Sequence, residues 1–145
     1  MDSHFCSSDE SATEALAARL AARALPGDVL LLSGPLGAGK TSFARAFIRA
    51  RAADPTLEIP SPTFTLVQTY DLPTQIWHYD LWRLNGPAAL EELAWDEAQS
   101  GIVLVEWPDR LGALTPAQAL HITISPIPAG REIVLRGDKR WFDVS

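Results

Sequence analysis

The segment Gly34-Pro-Leu-Gly-Ala-Gly39-Lys40-Thr41 leaves this chain few folds to adopt. It matches the pattern GxxxxGK[ST], and its flanks match too. Val29-Leu-Leu-Leu32 before it is an unbroken apolar run, as expected for a strand covered on both faces in a parallel sheet. A helical pattern begins after it near Lys40, with Phe43 and Phe47 on one side and Asp54-Pro55 as its stop. An accidental glycine-rich turn does not explain that order. The expectation is an α/β domain built around a phosphate-binding loop, with a mainly parallel central sheet, added antiparallel strands and flanking helices.

Each position in the loop has a physical task. The glycines let the backbone curl, so that the N–H groups of Gly37, Ala38 and Gly39 can point at phosphate oxygens. The helix starting at Lys40 brings its partial positive end to the same place. Lys40 is the expected point charge on the outer phosphates and the Thr41 hydroxyl a ligand for Mg²⁺. Ser42 is placed nearer the inner phosphate of a bound ATP or ADP.

Such a site also needs a carboxylate at the end of a neighbouring strand. Two segments offer one: Ile102-Val-Leu-Val105-Glu106, an apolar run ending in an acid, and the weaker Ile76-Trp-His-Tyr-Asp80. One acid would serve the magnesium shell and the other orient water; spacing alone does not assign them. His78 shares a strand face with Asp80 and reads as a structural histidine. Trp107 either packs beside a nucleotide or buries its ring at the strand end.

The rest of the chain fits one domain over residues 1–145, with no internal repeat or linker. Ser11-Ala-Thr-Glu14 reads as a capping box opening a first helix that Pro26-Gly27 stops. Thr65 to Tyr70 and Ile76 to Asp80 read as a strand pair, Pro87 to Ala98 as a helix, and His121 to Ser125 with Glu132 to Leu135 as a hairpin. Cys6, the single cysteine, is expected as a buried small hydrophobe. No apolar run approaches the roughly 20 residues that span a bilayer, and Met-Asp-Ser-His offers no basic start, so a cytoplasmic location without membrane contact is expected. A net charge of −6 argues against direct grip on nucleic acid, leaving any such contact to a partner.

Four segments together resemble the TsaE family: the loop at 34–41, Ser-Pro-Thr-Phe-Thr-Leu-Val at 61–67, His-Tyr-Asp-Leu-Trp-Arg-Leu at 78–84 and Val-Glu-Trp-Pro at 105–108. Gly130-Arg-Glu-Ile133 is similar to the family's C-terminal hairpin. The resemblance implies a small bacterial ATPase needed for the threonylcarbamoyl modification of adenosine 37 in tRNAs reading codons that start with A. It implies action on a complex of TsaD and TsaB, with tRNA met only through that complex. By matching position it implies Lys40 and Thr41 on phosphates and magnesium, Asp80 as the Walker-B-type aspartate, Thr63 in a switch-like loop, and Glu106-Trp107 as a functional pair. Pro35 and Trp82 depart from the residues common in the family.

Two rivals share the loop. A small-molecule P-loop kinase would need an acceptor site and an arginine-bearing lid, and only Arg45 and Arg49, on the loop's own helix, have the spacing. A nucleotide-gated protein-binding module would need nothing further. A GTPase is disfavoured, because no Asn-Lys-x-Asp segment is present.

Overall fold

The computed structural model describes residues 2–142. Seven strands form one sheet in the order β1-β7-β6-β2-β5-β4-β3. They are β1 (Asp2–Ser7), β2 (Val29–Ser33), β3 (Val67–Tyr70), β4 (Ile76–Asp80), β5 (Ile102–Glu106), β6 (Leu120–Ile127) and β7 (Gly130–Arg136). The four central strands β6, β2, β5 and β4 are mutually parallel, while β3, β7 and β1 pair antiparallel to their neighbours. Helices α1 (Glu10–Arg23), α2 (Lys40–Ala52) and the short α3 (Trp95–Ala98) complete the fold. This is the expected α/β architecture, with β1 as an edge strand that its polar sequence did not announce.

Strand alternation divides the core into two layers. Leu30, Leu32, Ile76, Ile102 and Leu104 pack beneath α1 and α2 with Leu16, Leu20, Phe43 and Phe47. Val29, Leu31, Tyr79, Val103 and Val105 face the other way, onto Leu90, Trp95, Ala98 and Leu111. Covering β2 and β5 on both faces explains why their sequences show no alternation of apolar and polar residues. The same alternation on β4 and β5 sends His78, Asp80 and Glu106 to the α2 side. Among the described residues, no helix is long and apolar enough to cross a membrane.

Four local expectations change. Helix α1 begins at Glu10 because the Asp9 carboxylate caps it, accepting from the Ala12 N–H at 2.9 Å; Ser11 only donates to Asp9. Cys6 is exposed: Phe5 turns to the core, so its neighbour on the edge strand must face solvent. The strand expected from Thr65 starts at Val67, because Leu66 has φ 70° and its N–H closes a turn onto the Pro62 carbonyl at 2.7 Å. The expected helix 87–98 is a 3₁₀ segment, Pro87–Leu93, followed by α3, with the break at Ala94 in the left-handed region.

Candidate active site

Two loop ends and two strand ends meet at one corner. The parallel register sets Asp80 beside Glu106 and Leu32 beside Glu106, so both acids lie one strand away from the start of the glycine-rich loop. The loop needs its glycines for space as well as curvature. A methyl carbon on Gly34 would lie 2.3 Å from the Ile124 carbonyl oxygen, and Gly39 caps α2 with φ 107°.

Lys40 is buried, 5% exposed, yet no carboxylate lies in hydrogen-bonding contact with it. Its Nζ donates to the carbonyls of Gly34 at 2.6 Å and Pro35 at 2.9 Å, and sits 3.9 Å from the centre of the Trp107 ring. Burial pulls its pKa below the ordinary lysine value, against the opposite pull of the Glu106 and Asp80 charges. Trp107 reaches this place because its own backbone is left-handed, φ 59°, directly after β5. Its ring also packs on Trp82, with centres 4.3 Å apart.

Glu106 is the most connected acid. Its Oε1 accepts from the Thr41 hydroxyl at 2.7 Å, and its Oε2 lies 2.7 Å from His78 Nε2. His78 is fully buried and its Nδ1 has no hydrogen-bond partner among the described residues. A proton on that nitrogen would be an orphaned buried donor, so the neutral ring carries its proton on Nε2 and donates it to Glu106. The structural reading of His78 therefore gains a specific object, the orientation of Glu106. Asp80 accepts from the Trp82 N–H at 3.0 Å and from the Thr63 hydroxyl at 3.1 Å, and Thr63 is linked to Ser61 at 2.7 Å. The loop 61–65 is thus tied to the strand-end acid.

The donor set is made of oxygen alone: two hydroxyls, Thr41 and Thr63, and two carboxylates. Among the described residues no three acidic, histidine or cysteine side chains gather as a self-sufficient metal site. That combination suits magnesium, which binds through one or two carboxylates and completes its shell with phosphate oxygens and water. Of the remaining loop residues, Gly37 is exposed, Ala38 buried and Ser42 half-buried at the mouth of the groove between α1 and α2.

The chain matches the family model "Threonylcarbamoyl adenosine biosynthesis protein TsaE" over residues 7–133. It belongs to the TsaE family. Among relatives named as tRNA threonylcarbamoyladenosine biosynthesis protein TsaE, the one from Rickettsia felis is 37% identical over 127 residues, 86% of this chain and 74% of its own. That from Bacillus subtilis is 40% identical over 115 residues, 77% of this chain and 70% of its own. The crystal structure of Bacillus subtilis YdiB superposes with a TM-score of 0.73 at 31% identity, covering 98% of this chain and 88% of YdiB. The TsaE resemblance read from four short segments thus extends through the whole fold.

Two features of this TsaE-family site were not legible in sequence. Arg131, on β7, lies against the loop: a methyl carbon on Gly39 would come 2.8 Å from its Nη1. Only the Gly130-Arg131 pair hinted at it, and nothing local to that pair points to a loop some 90 residues earlier in the chain. Arg45 and Arg49 serve another purpose than a lid. Their Nε groups donate to the carbonyls of Ile59 at 2.8 Å and Leu57 at 2.9 Å, pinning the segment after α2.

Proposed function

We propose that this chain binds ATP with Mg²⁺ in the loop 34–42 and hydrolyses it, driving a TsaD–TsaB complex that threonylcarbamoylates adenosine 37 of tRNAs reading codons that begin with A. The observation that carries the reading is the convergence of Thr41, Glu106, Lys40 and Asp80, four residues from three elements, on one buried corner beside a phosphate-binding loop. Gly37, Ala38, Gly39 and Ser42 would supply backbone and hydroxyl donors to the phosphates, with Trp107 covering Lys40.

In this reading Lys40 exchanges the Gly34 and Pro35 carbonyls for the outer phosphates. A cation held against neutral acceptors has more to gain from an anion than one already paired with a carboxylate. Thr41 and Asp80 would hold the metal, joined by Thr63, and the bound ion would offset charge developing on the transferred phosphoryl group. Glu106, oriented by His78, is assigned to the attacking water. Binding at Asp80 and Thr63 would order the loop 61–65, beside which Phe64 and Leu36 stand 79% and 80% exposed. Large exposed apolar side chains next to a switchable loop fit a face that meets a protein partner.

The test is ATP turnover by the purified chain, alone and with TsaD and TsaB added. Turnover should be slow alone and rise with the pair, and Lys40→Ala should lose both nucleotide affinity and the stimulated rate. Stimulated turnover that survives in Lys40→Ala would refute the site. Phosphate appearing on a small-molecule acceptor would instead favour a kinase.

A further inference from the structure

The sheet order gives the loop two unlike sides. Asp80 and Glu106 lie towards β5 and β4, while β6, β7 and β1 lie on the opposite side of β2. If the outer phosphates of a nucleotide sit at the acids, as proposed above, its other end must extend towards β7 and β1. On that side there is a cleft of about 300 Å³, lined by Ser7, Ser8, Asp9, Glu10, Gly130 and Arg131.

Three observations make this cleft part of the loop's surroundings. Arg131 forms one wall and also lies on Gly39, so it spans the distance between them. Its guanidinium has no hydrogen-bond or ion-pair partner among the described residues. Gly130 fixes the opposite wall: a methyl carbon there would lie 2.1 Å from the Ser7 carbonyl oxygen, so the hairpin tip presses directly on the chain entering α1. Glu10 also lines the neighbouring groove together with Ser42, next to the inner end of the loop.

We propose that this cleft takes the base and sugar of the nucleotide, with the planar Arg131 guanidinium lying on the base. An arginine without an anion to hold it is suited to stacking on an aromatic face, where a lysine in its place would be a poor substitute. The inference rests on the nucleotide reading and adds a residue and a subsite to it.

Calorimetric titration of the intact chain with ATP, ADP and inorganic tripolyphosphate, each with magnesium, tests it. Arg131→Ala should weaken ATP and ADP alike, by about tenfold, and leave tripolyphosphate within about twofold. Ser8→Trp, a change at an exposed position of the cleft, should do the same without lowering the thermal midpoint. Equal loss for tripolyphosphate would make Arg131 a phosphate ligand and overturn the base subsite. Unchanged affinity for all three ligands in both variants would overturn the subsite and leave the nucleotide reading standing. A wild-type chain that binds none of the three would remove that reading, and this inference with it.

Discussion

Replacing His78 by alanine removes the group that holds Glu106 from behind. His78 is fully buried and Glu106 is 2% exposed, so water cannot take over the lost hydrogen bond without entering the core. A hydrogen bond to a charged group contributes about 1.5–3 kcal/mol, and the space vacated by the ring adds about 1–2 kcal/mol. The expected loss is therefore about 3–4 kcal/mol, or roughly 6–16 °C in the midpoint of a domain of this size. Urea unfolding followed by tryptophan fluorescence would measure it. Glu106→Gln alone should cost only about 1 kcal/mol, because its amide can donate to the vacated imidazole acceptor after a ring flip. The double variant should fall short of the summed losses by at least 1 kcal/mol, since each partner has nothing left to lose once the other is changed. A His78→Ala loss under about 1 kcal/mol, or additivity within about 0.5 kcal/mol, would refute the coupling.

Other perturbations reach other parts of the site. Because burial lowers the Lys40 pKa, the unfolded chain holds that proton more tightly than the folded one. The Lys40 contribution to stability should therefore rise with pH as it climbs from the lowered value towards the ordinary 10.5. Burial raises the Tyr79 pKa, so its contribution falls above pH 10; the difference between wild type and Lys40→Met, read by urea unfolding across pH 8 to 10.5, cancels it. Equal pH slopes in the two proteins would count against a desolvated ammonium. Gly34→Ala should abolish soluble folded protein or nucleotide binding, since its methyl would lie 2.3 Å from the Ile124 carbonyl oxygen; a normal circular dichroism spectrum with full ATP affinity would contradict this. Ala94→Gly should stabilise by about 1 kcal/mol by relieving a left-handed alanine, φ 58°. No shift in the urea midpoint would show that the residue carries no strain.

What the sequence made legible follows from how local the cause was. The loop, the strands feeding it and the two strand-end acids are each set by runs of adjacent residues, and all were found. The pairing of Asp80 with Glu106 needed the strand register, which no window of sequence contains. His78 looked structural because period-two alternation turns it inward; only packing showed that its Nε2 meets Glu106 rather than the backbone. Strand β1 escaped notice because Asp2, His4 and Cys6 face solvent from a sheet edge, and only Phe5 carries apolar weight. Arg131 was the hardest to foresee, since a hairpin fold-back brings it to Gly39. The 3₁₀ segment from Pro87 shows the limit of spacing arguments: Leu90 and Leu93 are three apart, which suits either helix type.

The contact between the Lys40 ammonium and the Trp107 ring gives the molecule a built-in optical gauge. An indole 3.9 Å from a full positive charge emits in a strong local field, and that field disappears when the charge moves to an incoming anion. The protein therefore reports on its own occupancy through an unlabelled fluorophore, with Trp82 beside it to register any shift of the ring.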